Sequence, residues 1–402
     1  MANSVVIYAV AHQPRRLKLP AQPIPLGARA RDIERCLFDE GMNRHYFEKV
    51  AANCYNPATD MFHELAKEGL SLSIGFSISL LRQAELWDTS LLARFQDLVT
   101  QPNVEIIGVE PYHSFLPLLD LPRFVKRMEW ARDNLQKIFG KSPQVTDTTE
   151  MLMSDAIYQA LSKAGFQGAL MDGRPWVMEW REPSYLYQGC RHLKLLTRHP
   201  RLSDDVGYRF SNRGWGGWPL TADTYAHWIK ETAGDLVVLA WDYETFGEHH
   251  SKDTGIFEFM TNLPRELSKR GVNTLTASQA LETHGANAYH LPLPAWGCTW
   301  AGEGGLDFFL GNASQQAIFR LMLSSYNKAL LTRKPEIIDL ALWLAQSDNL
   351  HTIQWDGRWG SEAEVSAYFT PGEWWQKLGA GGILLEMQRV YANFLKSLDS
   401  HL

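Results

Sequence analysis

Hydrophobic and polar positions along this 402-residue chain fall into short apolar runs separated by longer stretches of helical period. The apolar runs are Val5–Val10, Ser71–Ser77, Val104–Val109, Gln144–Thr149, Gly168–Asp172, Leu193–Thr197, Leu236–Asp242 and Val272–Thr276. Runs of this length with little polar alternation predict strands covered on both faces, as in parallel sheets. Between them the pattern predicts helices at Ile33–Val50, Leu91–Leu98, Leu121–Phe139 and Asp155–Ala164, the last with Ile157, Leu161 and Ala164 on one stripe. Strand–helix alternation repeated this often predicts a parallel barrel or a doubly wound sheet, and the chain length suits a barrel.

The character changes near residue 290. Pro292, Pro294 and Gly297 break the pattern, a Trp- and Gly-rich loop follows from Trp296 to Gly305, and the remainder is helical. Predicted helices there are Ala317–Leu331, Pro335–Gln346 with its proline at the first helical position, and Ile383–Leu398 with a broad apolar face. The expected division is a catalytic barrel over residues 1–290 and a helical C-terminal domain over 291–402.

The strand ends carry the chemistry. Leu236–Ala240 is wholly apolar, yet it runs directly into Trp241, Asp242, Tyr243 and Glu244, then Gly247, Glu248, His249 and His250. The first strand ends in His12-Gln13-Pro14; the third contains Glu105 and runs into Glu110, Tyr112 and His113; the fourth ends in Thr148-Thr149-Glu150. One polar strand end is a surface loop by default. Four on separate strands predict a shared site, because barrel closure brings the carboxyl ends around one axis.

Composition narrows the class. Hydrophobic content of 45% and charged content of 21% are ordinary for a globular protein, and a net charge of −6 argues against a nucleic-acid partner. No apolar run reaches membrane-spanning length, and the start of the chain lacks a secretory signal. Four scattered cysteines without a CxxC pair fit reduced thiols and a cytoplasmic location. Fifteen tryptophans are the outlier, and an excess of flat apolar rings suits sugar stacking as well as core packing.

Two carboxylates from different strands, Glu150 and Asp242, suit glycosidic bond cleavage, one attacking or stabilising the anomeric centre while the other protonates the leaving oxygen. His12 and His113 can bind sugar hydroxyls, and Trp241 or Trp300 can supply a stacking face. The competing chemistry is a metal held by Asp242, His249, His250 and His12. Adjacent side chains diverge, however, and neither HxxxH nor HExxH occurs, so neither a metal nor another cofactor is expected.

With these residues in order, the chain resembles glycoside hydrolase family 57, the α-amylase and 4-α-glucanotransferase-like family. The resemblance rests on His12-Gln13-Pro14, on Val104-Glu105-Ile106-Ile107-Gly108 continuing into Tyr112-His113-Ser114, on Thr148-Thr149-Glu150, and on Trp241-Asp242-Tyr243-Glu244-Thr245-Phe246-Gly247-Glu248-His249. Leu202-Ser203-Asp204-Asp205, Tyr208-Arg209-Phe210-Ser211, Trp300-Ala301 and Gln346-Ser347-Asp348 also resemble family stretches. The loop AGEGGLDFFLGN after Trp300 and the stretch QSDNLHTI depart from the family pattern where substrate would be held.

The resemblance implies a (β/α)7 distorted TIM-like barrel with a C-terminal helical domain, a retaining mechanism without a metal, and α-1,4-glucan or maltooligosaccharide substrates. It places the nucleophile at Glu150 and the acid/base at Asp242. His12, Glu105, His113, Arg198, Trp241, Trp300 and Asp348 are the expected substrate-binding residues. Alternatives are a 4-α-glucanotransferase, a metal-dependent carbohydrate deacetylase, and a non-catalytic glucan-binding protein. Oligomeric state is not encoded legibly.

Overall fold

The computed structural model describes residues 1–402. Its strands are β1 (Ser4–Ala11), β2 (Leu72–Phe76), β3 (Val104–Ile107), β4 (Val145–Thr146), β5 (Gly168–Asp172), β6 (Leu186–Gln188), β7 (Lys194–Arg198), β8 (Leu236–Asp242), β9 (Asn273–Leu275) and β10 (Tyr289–His290). β1 lies between β2 and β8; β2 pairs with β3, β8 with β7, β7 with β5 and β5 with β4, all in parallel. β9 also joins β1 in parallel, while the short β6 is antiparallel to β7 and carries β10. Just beyond β3, the Gly108 N–H donates to the Val145 carbonyl at 2.9 Å and its carbonyl accepts from the Asp147 N–H at 2.7 Å. The fold is thus a mixed α/β arrangement around a largely parallel sheet, and each of the eight expected strands is present in whole or in part.

Burial explains why these runs are strands. Every residue of β1 and β2 is buried, and β8 is buried up to its last residue, Asp242. Val6, Tyr8, Val10, Ile107, Val145, Leu170, Leu196, Leu236, Val238 and Ala240 pack together on one face of the strands. Tyr8 stands out among these aliphatic side chains because it carries a hydroxyl inward. A Cβ on Gly75 would lie 2.5 Å from Val109 and 2.6 Å from the Tyr8 hydroxyl, so only glycine leaves room for it.

The chain divides into two compact units: residues 1–13, 46–111 and 125–300, and residues 14–45, 112–124 and 301–402. The first holds all ten strands. The second is helical, and it differs from the division at 290/291 expected from sequence by taking in two earlier segments. Tyr112 stacks on Trp343 with ring centroids 3.7 Å apart, Ser114 bridges to Gln346, and the Arg15 N–H donates to the Gln346 side chain at 2.9 Å. Contacts across more than 200 residues have no trace in a linear pattern. Within this unit, helix Ala313–Leu331 starts with a reciprocal Asn312–Gln315 capping box, and Gly379 (φ 62°) breaks the long helix Gly372–Ser397.

Candidate active site

The site of interest lies in the first unit. β8 ends at Asp242, which is half-buried, and the chain turns at once through Tyr243–Thr245. Gly247 (φ 117°) then passes so close to the single π-helical turn Ala51–Tyr55 that a Cβ there would lie 2.0 Å from the Asn53 carbonyl oxygen. This approach seats Glu244 against Tyr55, whose hydroxyl donates to its carboxylate, and the His12 N–H donates to the same oxygen at 3.3 Å. Burial, followed by the charge of Asp242, pushes the Glu244 carboxyl up to about 8, against the hydrogen bonds from Tyr55 and the backbone.

Glu150 arrives differently. After β4 the chain enters a tight turn in which Glu150 (φ 56°, ψ 30°) and Met151 (φ 52°) are left-handed, a conformation that costs about 1–2 kcal/mol for a residue with a Cβ. The turn is pinned from outside. Met153 and Cys298 form an antiparallel bridge with N–H···O distances of 2.9 and 2.8 Å, and the Trp300 N–H donates to the Glu150 carbonyl at 3.2 Å. The indole Nε1–H of Trp300 donates to Glu150 Oε2 at 2.8 Å. The strain therefore fixes a half-buried carboxylate that accepts from the Trp300 indole.

Behind Trp300 lies a buried ion-pair layer. Arg198 sits 5.6 Å from the Trp300 ring centre and donates Nε to the Ala240 carbonyl (3.1 Å), Nη1 to Asp172 (3.1 Å) and Nη2 to Asp204. Arg174 also pairs with Asp172 and donates to the Trp300 carbonyl. Burial pushes the Asp172 carboxyl up, and the two guanidiniums oppose that.

A second buried acid, Asp147, precedes the Thr148-Thr149-Glu150 turn. Tyr8 Oη donates to its Oδ2 at 2.9 Å and the Thr148 N–H donates to Oδ1 at 2.7 Å. Burial pushes its carboxyl up to about 7; the Tyr8 and Thr148 hydrogen bonds lower it, and the charge of Asp242 raises it. Asp147 and Asp172 are not among the site residues expected from the sequence. Both end or follow a strand with an acid, the same signal that picked out Asp242.

The expected binding residues separate clearly. His12 is half-buried near Glu244, its ring Nδ1 2.8 Å from the Ser77 hydroxyl; Trp300 contacts Glu150. Trp241 is corrected: it is 2% exposed, donates Nε1–H to the Ser203 carbonyl at 2.8 Å and packs edge-on against Phe246, so it offers no stacking face. Consecutive strand residues point to opposite faces, and Trp241 therefore points away from Asp242. Glu105 is corrected too. It lies near the start of β3 rather than its end, accepting from the Ser278 N–H at 2.8 Å and from the Ser278 hydroxyl at the first turn of helix Ala277–His284. Arg198 is a buried ion-pair residue whose nitrogens are committed to protein oxygens, not a substrate ligand. His113 and Asp348 belong to the second unit: His113 (φ 54°) accepts at its carbonyl from the Ser347 N–H (2.8 Å), and Asp348 opens the short helix Asp348–His351. His250 spends its ring on the Ser211 hydroxyl (2.8 Å) and the Gly207 carbonyl (3.2 Å), and no group of three or more His, Cys, Asp or Glu is arranged to hold a metal ion.

Carboxylates and imidazoles gathered where parallel strands end mark an α/β enzyme with its site at the carboxyl side of the sheet. The chain belongs to glycosyl hydrolase family 57, whose family model matches residues 6–292, and so to a family of glycoside-hydrolysing and glycosyl-transferring enzymes. It is 34% identical over 375 residues to a putative alpha-amylase of Methanocaldococcus jannaschii, covering 89% of this chain and 78% of that protein. Its fold is similar to the GH57-type branching enzyme of Pyrococcus horikoshii (TM-score 0.65, 14% identity, 100% of this chain and 97% of that one). It is also similar to the 4-alpha-glucanotransferase of Thermococcus litoralis (TM-score 0.65, 15% identity), covering 89% of this chain but only 59% of that one. No helix is long and apolar enough to cross a membrane.

Proposed function

We propose that the chain is a retaining glycoside hydrolase acting on α-1,4-glucans, with Glu150 as nucleophile and Asp242 as acid/base. The observation that carries this is the contrast among the acids. Asp147, Asp172 and Glu244 are buried, whereas Glu150, after β4, and Asp242, at the end of β8, stay partly open to solvent. In the first step a Glu150 oxygen attacks the anomeric carbon while Asp242 gives its proton to the departing glycosidic oxygen, leaving a covalent glycosyl-enzyme. In the second, Asp242 takes a proton from water as that water attacks the same carbon and Glu150 leaves, so configuration is retained. A sugar hydroxyl in place of water gives transfer, the 4-α-glucanotransferase alternative.

The chain's own groups suit these steps. The Trp300 indole N–H favours the ionised form of Glu150 and fixes Oε2, orienting the side chain for attack. His12 is the expected hydroxyl ligand, oriented by Ser77. The Gly108–Thr146 bridge supports closing β3 onto β4, which would make β1–β5, β7 and β8 the seven strands of a (β/α)7 barrel.

The test incubates wild type, Glu150→Gln and Asp242→Asn with maltooligosaccharides, with and without EDTA, and follows the products. Cleavage insensitive to chelator, reduced at least about a thousandfold in either variant, is expected. Wild type that binds oligosaccharide but never cleaves it would overturn the catalytic assignment, and chelator-sensitive release of acetate from an acetylated saccharide, run alongside, would favour the deacetylase alternative.

A further inference from the structure

The mechanism above leaves one inward-facing acid unused. Asp147 is 2% exposed and accepts hydrogen bonds from two donors, the Tyr8 hydroxyl and the Thr148 N–H. Tyr8 pairs in register with Ala240, and Val10 with Asp242. Tyr8, Val10, Val238 and Ala240 share the packed inner face, and Asp242, two residues beyond Ala240, continues it. The Tyr8 hydroxyl thus bonds Asp147 on the same face of the sheet from which Asp242 projects, and Gly75 is the residue that leaves this hydroxyl its space. Burying a tyrosine hydroxyl and a carboxyl in an otherwise apolar core carries a desolvation cost that their mutual hydrogen bond offsets in part.

We propose that Asp147 is a positioning residue for Asp242: through Tyr8 it presents a like charge along the inner face of the sheet and so keeps the donated proton on Asp242. The proposal rests on Asp242 being the acid/base. Two carboxyls that repel share their protons as a pair; once one ionises, the other keeps its proton to higher pH. Tyr8 and Asp242 are the titratable groups acting on Asp147, and Asp242 in turn acts on both Asp147 and Glu244. The Tyr8 hydrogen bond favours ionised Asp147, and with it the repulsion. At every pH, wild-type Asp242 therefore holds at least as much proton as it would beside a neutral side chain.

Asp147→Asn makes that neighbour permanently neutral without changing its shape. Its alkaline limb of kcat/KM is expected to fall by about half a pH unit to one unit, with the pH-optimum kcat within about threefold of wild type. Tyr8→Phe, which leaves the carboxyl but removes the donor that favours its ionised form, should move the same limb in the same direction. Thermal unfolding of both variants confirms that folded protein is compared. A structural role alone would lower Tm and depress activity equally at all pH, with both limbs unmoved, and that result overturns the proposal. If Asp242→Asn keeps wild-type activity, the acid/base assignment itself falls. If Asp242→Asn is inactive and both Asp147→Asn and Tyr8→Phe titrate as wild type, only the present inference does.

Discussion

Trp300→Phe isolates one hydrogen bond at the candidate nucleophile. The ring stays aromatic and of similar size, but the 2.8 Å indole contact to Glu150 Oε2 is lost. A hydrogen bond to a charged group contributes about 1.5–3 kcal/mol, and a half-buried partner belongs at the lower end. At about 1.36 kcal/mol per pKa unit, that is a shift of about one unit. A donor favours the ionised carboxylate, so its removal raises the pKa of Glu150. The protonated, unreactive form then persists to higher pH, and the acidic limb of kcat/KM moves up by about one unit. The alkaline limb, assigned to Asp242, should not move. The assay is initial-rate hydrolysis of a maltooligosaccharide across the pH range, alongside a thermal melt. An acidic limb that stays in place while the plateau rate falls would refute the reasoning, because the indole would then be packing rather than tuning charge.

Four further outcomes are expected. Arg198→Met should cost about 3–5 kcal/mol in urea unfolding, since Asp172 and Asp204 lose a buried partner, although Arg174 still serves Asp172. Gly75→Ala should cost about 1–3 kcal/mol by pressing a methyl group on Val109 and the Tyr8 hydroxyl; an unchanged urea midpoint would show that the core yields there. Glu105→Ala should lose about 1 kcal/mol with kcat intact, because the helix Ala277–His284 loses an acceptor at its first turn. Finally, the folded state holds protons on Asp147 and Glu244 up to about 7 and about 8, where the unfolded chain has released them from ordinary values of 3.8 and 4.5. The native state binds more protons, so stability falls as pH rises from about 4 through about 8, and Glu244→Gln should flatten the upper part of that slope in urea midpoints.

The parallel strands were legible because burial on both faces leaves an uninterrupted apolar run, as in Leu236–Ala240. β6 and β10 were not: Leu186–Gln188 and Tyr289–His290 are short and mixed, and their pairing depends on partners that no local pattern names. For the site, acids at strand ends could be read, but the direction of a side chain could not. Glu105 lies one residue into its strand and serves a helix end, while Trp241 shares a strand with Asp242 and faces the other way. The bond from Trp300 to Glu150 spans 150 residues, a separation at which spacing carries no information.

The segment from Pro294 to Trp300 lies alongside 150–155 as an irregular ribbon, linked by Asp155 N–H to Pro294, the Met153–Cys298 pair and Trp300 N–H to Glu150. This alignment makes the indole donor a matter of phase rather than of distance. Sliding one side by a single residue would keep much of the backbone bonding yet send the indole to the opposite face. A loop exchange designed to alter what this enzyme accepts should therefore be cut after Trp300, not within 294–300, and lengthening Ala301–Gly305 leaves the alignment intact. By the same logic, deleting Gly297 should silence the site more thoroughly than replacing any one of its side chains except the two carboxylates.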